Sequence, residues 1–254
     1  MALAPQFATH RIAGRATAAH VLELYLDIIC PFSRTQLQGV REHVLPFAEA
    51  NPEALTVIIR QVPQAWHSSA TLVHEAALGV SRALMDSGKV QTWAEAGPQW
   101  RDFFYKLIDE QEAFHDEPCA VETPNQTRER LANYAEAVGV DRKAFLQAVK
   151  VGKGNAGTSV SRARAILFER AGCASTGLKR FPAMRKRAKL RSHDSPQVTS
   201  DLKLQIKFHR MRGIHVTPTV ALDGLVEPSI SSSFSGDDWR KFLEEKVLPA
   251  DSKV

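Results

Sequence analysis

Residues 21–28, VLELYLDI, place Leu22, Leu24 and Leu26 on one side of an alternating run, the two-residue period of a strand. From Ser33 to about Ala50 the apolar residues Leu37, Val40, Val44, Leu45 and Phe47 recur at helical spacing, and Asn51-Pro52 ends the run. LTVIIRQVP, residues 55–63, is rich in β-branched residues and closes on Pro63, which predicts a second strand. Strand, helix and strand in so short a span is the pattern of parallel strands joined by a crossover helix.

A helical block follows. Thr71 to Met85 is Ala-rich; Trp100, Phe103, Phe104, Leu107 and Ile108 sit at i, i+3, i+4, i+7 and i+8; Leu131, Tyr134, Ala135 and Val138 repeat the pattern. An aromatic stripe at this spacing is expected to be core rather than a ligand box. Farther on, Ser200 or Thr199 caps a helix to about Arg212, with Gly213 as its stop. Thr219 to Leu222 reads as a short strand, Asp223-Gly224 as a turn, and Leu225 as the start of the returning strand. In SGDDWRKFLEEKV, Ser235 and Asp238 are spaced as a capping box, and Trp239, Phe242 and Leu243 face inward. The order is β-α-β, helices, then β-β-α, with no internal repeat: an α/β chain, one domain over 1–254, with a helical insertion at about 66–150.

Charge changes this picture at one place. The net charge of +5 is carried by residues 160–197, which hold ten Lys/Arg against Glu169 and Asp194, so the rest of the chain is net acidic. This segment lacks sustained periodicity and has breakers throughout, so it reads as a disordered insertion. Val160-Ser161 is encodable as a splice donor and Pro196-Gln197 as an acceptor, which makes a retained intron the companion reading. Both are preferred to a nucleic-acid site, and no nucleic-acid partner is expected. No apolar run reaches the roughly 20 residues that span a bilayer. Three scattered cysteines, Cys30, Cys119 and Cys173, form no CxxC or CxxH metal pair and suit a reducing compartment. The expected location is cytoplasmic. The acid-free N-terminal stretch, interrupted by Pro5 and Gly14, is expected to be an ordered lead-in, with a mitochondrial presequence as the alternative.

Phosphoryl and zinc chemistry lack their signatures: P-loop, GxSxG and paired His-Glu metal motifs are missing. The remaining chemistry is that of "CPFS", residues 30–33. A strand feeding a cysteine and proline at a helix start, a helical block, then Thr217-Pro218 before a hairpin and a terminal helix resembles the thioredoxin superfamily, in its disulfide-oxidase (DsbA-like) branch. The resemblance implies a thioredoxin-like fold with the helical insertion between the β-α-β and β-β-α halves. It also implies that Cys30 is the nucleophile, that Pro218 is a cis-proline opposite it, and that Thr217 offers its backbone to a substrate. Pro31, Phe32 and Val216 then line the substrate position.

The physics of Cys30 stands beside this. The thiolate is the attacking species, and a helix N-terminus favours an anion by about 0.3–1 kcal/mol when exposed. Pro31 fits the first turn because its missing N–H costs the helix nothing. Position 33 departs from the dithiol pattern: with Ser33 there, Cys30 closes no internal disulfide, and a mixed disulfide resolved by glutathione or another outside thiol remains. Ser33 is expected to tune the sulfur. His67, His215 and Asp27 are further candidates near it, and Cys119 is a candidate distant resolving thiol.

The expected function is monothiol (CxxS) thiol-disulfide exchange at Cys30, acting on a protein or glutathione substrate. The expectation includes no metal and no cofactor, glutathione being at most a co-substrate. The alternatives are a non-catalytic peptide-binding module and a glutathione-dependent transferase or isomerase of kappa type. Oligomeric state is left open.

Overall fold

A computed structural model describes residues 3–150 and 197–248. The basic segment at 160–197 lies outside the described residues except for its last position, so neither reading of it meets a structural fact.

Five strands form one mixed sheet: β1 (Arg11–Ala13), β2 (His20–Leu26), β3 (Leu55–Gln61), β4 (Thr219–Leu222) and β5 (Leu225–Val226), in the order β1-β3-β2-β4-β5. β2 and β3 are parallel, with His20 opposite Leu55 and Leu26 opposite Gln61; the other pairings are antiparallel. The crossover between β2 and β3 is α1 (Pro31–Gly39), a π turn at Val40–Val44, and α2 (Leu45–Ala50). Among the described residues, five α-helices follow β3 before residue 150: α3 (Ala70–Asp86), α4 (Gly97–Asp109), α5 (Asp116–Cys119), α6 (Pro124–Ala137) and α7 (Arg142–Val149). α8 (Gln197–Met211) leads to β4, and α9 (Gly236–Lys246) ends the described chain.

Both central strands stop short of their apolar runs, β2 at Leu26 and β3 at Gln61. Ile28, Ile29 and Val62 are buried all the same, because the turns after the strands lie in the core. Leu22, Leu24 and Leu26 join α1, α3, α4 and α9 in the main core, where the Trp100–Ile108 stripe is fully buried. The opposite side of β2 is buried too: Tyr25, with Val62, Ile214 and Ala221, packs against Phe208 of α8. Glu23 lies on that side at zero exposure and is held by Arg60 at 2.7 Å and Arg212 at 2.5 Å. Arg212 also donates to Tyr25 Oη and to the Gly224 carbonyl, so it ties the end of α8 and the β4–β5 turn to β2.

The N-terminal lead-in is a 3₁₀ turn (Pro5–His10) followed by edge strand β1. Gly14 has φ +73°, and a Cβ there would stand 2.0 Å from the Leu55 carbonyl oxygen, so glycine permits the approach of the two strands. The Ser235–Asp238 capping box forms as its spacing predicts.

Candidate active site

β2 delivers the chain to the site. After Leu26 a tight turn follows, in which the Cys30 N–H donates to the Asp27 carbonyl at 3.1 Å. Cys30 is the N-cap of α1 and Pro31 opens its first turn. The sulfur makes no hydrogen bond to its own helix amides. Instead, Cys30 Sγ donates to the carbonyl of Thr217 at 3.5 Å, across 187 positions of sequence. The Thr217–Pro218 peptide bond is cis.

Cys30 is 6% exposed and Thr217 8%, so the reactive atoms are largely covered. The rim is open and apolar: Phe32 is 65% exposed and Val216 56%, and Pro31 is exposed beside them. Ser33 is fully buried, and its Oγ accepts the Asp27 N–H at 3.2 Å. Among the described residues no hydrogen bond links Ser33 to the sulfur; its hydroxyl braces the exit of β2.

Asp27 organises the loops behind the cysteine. Its Oδ1 accepts the Ile29 N–H at 3.1 Å and faces His74 Nε2 at 3.1 Å. Its Oδ2 accepts the Gln64 N–H at 2.9 Å and pairs with His67 Nδ1 at 2.7 Å. Burial acts to raise this carboxyl, but hydrogen bonds and charge from His74, with the bonds from His67 and Gln64, outweigh it and hold Asp27 below the ordinary carboxylate value. The ionised form is therefore the one the network fits.

Two glutamines that the sequence reading passed over complete the frame. Gln64 Nε2 donates to His215 O at 3.2 Å and to Thr217 Oγ1 at 3.1 Å, which joins the 62–69 loop to the cis-proline loop. Gln111, from the helical insertion, donates through Nε2 to Ile28 O at 2.6 Å and Cys30 O at 3.3 Å. A lone glutamine carries no sequence signal for such a role. Trp66, 66% exposed and edge-on to His67, was also passed over; a large aromatic just after Pro63 was the available signal.

The other candidates sort by their bonds. His67 joins the Asp27 cluster, whereas His215 is exposed and its Nδ1 pairs with Gly213 O at 2.9 Å within its own loop. Cys119 Sγ accepts from Arg130 at 3.4 Å, and burial holds its thiol above the ordinary value. Cys30 and Cys119 are both free, and Cys173 lies outside the described residues. The geometry thus offers one helix-start thiol set against a cis-proline loop.

Comparison with protein-family models and with curated proteins finds no match. Solved structures do match. A candidate protein-disulfide isomerase from Pseudomonas syringae superposes with a TM-score of 0.56 at 21% identity, covering 90% of this chain and 94% of that one. The thiol-disulfide exchange protein alpha-DsbA2 from Wolbachia pipientis gives 0.52 at 12% identity, over 92% and 84%. A periplasmic thioredoxin-like protein from Salmonella enterica serovar Typhimurium gives 0.50 at 14%, over 93% and 88%.

The fold is thioredoxin-like, with a helical insertion.

The comparison also corrects the cytoplasmic expectation. A thioredoxin-like protein of the same fold is periplasmic, so the fold gives no support to a cytoplasmic location. A low cysteine count reports the lack of a disulfide framework and does not fix the compartment. No helix among the described residues is long and apolar enough to cross a membrane.

Proposed function

We propose that this chain is a thiol-disulfide oxidoreductase of the DsbA-like kind that works through one sulfur, Cys30, and a mixed disulfide. The observation that carries the reading is the contact of Cys30 Sγ with Thr217 O at 3.5 Å, which sets a helix-start thiol against the loop of a cis-proline. A nucleophile so placed meets a partner lying along residues 216–218, and Phe32 and Val216 offer that partner an apolar rim. Similarity in fold to proteins described as disulfide isomerase and thiol-disulfide exchange protein supports the reaction class.

The serine at position 33 sets the reaction's course. Cys30 as thiolate attacks a partner disulfide and forms a Cys30–S bond, while the partner's other sulfur leaves as thiolate. Without a second sulfur at 33, release requires attack by an outside thiol, glutathione or a protein thiol. Ser33, Gln64 and Gln111 hold the two loops in register around the sulfur.

The test is exchange against a model disulfide with glutathione as the resolving thiol. Wild type is expected to turn over, and Cys30→Ser to lose the exchange while Cys119→Ser keeps it. Equal rates in wild type and Cys30→Ser defeat the proposal.

A further inference from the structure

α8 turns two unlike sides to its surroundings. Val198, Leu202, Gln205 and His209 recur at helical spacing and are buried against the body. The outer side carries Leu204, Lys207, Arg210 and Met211, all exposed, Met211 at 77%. The one acid of the helix, Asp201, is buried. Surface arginines elsewhere are paired: Arg34 with Glu112, Arg41 with Asp109, and Arg142 with Glu129 and Glu136. Among the described residues, the side chains of Lys207 and Arg210 have no such carboxylate. Cations without a counter-charge beside exposed apolar side chains make a surface suited to an acidic partner.

The C-terminal end of this face adjoins the loop opposite Cys30. The Ile214 N–H donates to the His209 carbonyl at 2.9 Å, and His209 Nδ1 pairs with Ile214 O at 2.8 Å, so the chain folds back on the last turn of α8. Arg210 and Met211 directly follow His209. Thr217, whose carbonyl accepts from Cys30 Sγ at 3.5 Å, stands three residues beyond Ile214.

We infer that the outer face of α8, through Lys207 and Arg210, selects among exchange partners, and that the preferred partner is a polypeptide with acidic residues flanking its disulfide. This rests on the monothiol reading and adds the class of partner on which Cys30 acts. The chemistry at sulfur is unchanged. Cys30 gives its proton to water, its thiolate bonds to one partner sulfur, and the partner's S–S bond breaks as the other sulfur leaves with the bonding pair. Cys30 is oxidised and the leaving sulfur reduced. What α8 alters is how often an encounter brings a disulfide to that sulfur, because charges at the rim of a site act chiefly on association and are screened by salt.

The test uses the full chain with Cys119 and Cys173 replaced by serine, and three peptides of equal length, each carrying one cysteine as its mixed disulfide with thionitrobenzoate. The cysteine is flanked by aspartates, by lysines or by serines. Attack by Cys30 releases coloured thionitrobenzoate, and each rate is divided by that of mercaptoethanol with the same peptide, which removes the peptide's own reactivity. At about 20 mM salt the aspartate peptide is expected to react about 3- to 20-fold faster than the lysine peptide, the range of two exposed ion pairs, and the gap to close at about 0.5 M. Lys207→Glu with Arg210→Glu is expected to reverse the order. The charge-matched pair Lys143→Glu with Lys241→Glu, on α7 and α9, is expected to keep it. Residues 160–197 are present in every form, so their charge drops out of the comparison. Equal rates for the aspartate and lysine peptides overturn the inference. So does an order that the α8 variant leaves standing, or one that both double variants change alike. The serine peptide judges the monothiol reading separately: its reaction with the parent chain and loss in Cys30→Ser support that reading whatever α8 does, and no reaction with any peptide overturns both.

Discussion

Ser33 stands one helical turn beyond Cys30, buried and bonded to the Asp27 N–H. A cysteine at this position supplies the second sulfur that the proposed reaction lacks. In Ser33→Cys, release of the partner becomes intramolecular, and the lifetime of the mixed disulfide is expected to fall at least about tenfold in quenched mass spectra. An unchanged lifetime contradicts the role given to position 33. Asp27 makes a second prediction. Its folded carboxyl lies below the ordinary value, so it contributes stability above about pH 4 that is lost as pH falls through the lowered folded value. Asp27→Asn leaves His67 and His74 without their anion. It is expected to cost about 3–5 kcal/mol in urea unfolding at neutral pH and to flatten the acid limb below pH ~4. His10 works with the opposite charge. Burial first, and the charge of Arg60 second, lower it to about 3. The unfolded chain takes up a proton below about pH 6.5 that the folded chain refuses, so stability falls between there and pH ~3. His10→Gln is expected to lose that slope. At this scale the sequence was legible where chemistry marks a residue, as with Cys30 and Asp27. It was opaque where a carboxamide acts only through its neighbours, as with Gln64 and Gln111.

Among the elements, one guanidinium adds a polar tie between the sheet, α8 and the β4–β5 turn. Arg212 serves Glu23, Tyr25 and Gly224 at once, and Glu23 is fully buried. Arg212→Ala removes one of two cations from that carboxylate. It is expected to cost about 3 kcal/mol of unfolding free energy in a denaturant titration, where a surface pair would give less than about 1. The cap of α9 is a smaller matter: Ser235→Ala is expected to cost about 1 kcal/mol. Element type followed from periodicity wherever the pattern ran long, as for α3, α4 and α6. β1 escaped notice because three residues carry no period. α7 escaped because eight residues hold only Phe145, Ala148 and Val149 on the buried side, although Asp141 caps its start by accepting the Ala144 N–H at 2.8 Å. The ends of β2 and β3 were overrun for another reason. Apolar residues continue into buried turns, and only the hydrogen bonds of Asp27 and Val62 mark where pairing stops.

For the whole molecule, the candidate site is made by residues far apart in the chain. Cys30 opens the first half, Gln111 comes from the helical insertion, and Thr217 and Pro218 stand just before β4. The resemblance, not the periodicity, set Cys30 opposite Pro218, and β2 and β4 lie side by side in one sheet. Compartment was not legible, since cysteine count reports on disulfide frameworks and not on where a single reactive thiol is used. The measurement that bears most directly on the account is mass mapping of the full chain after brief exposure to glutathione disulfide. One glutathione adduct on Cys30, stable until an outside thiol is added and missing from Cys30→Ser, is the predicted result. An adduct found mainly on Cys119 or Cys173, or a Cys30 that stays unmodified while those react, would contradict it.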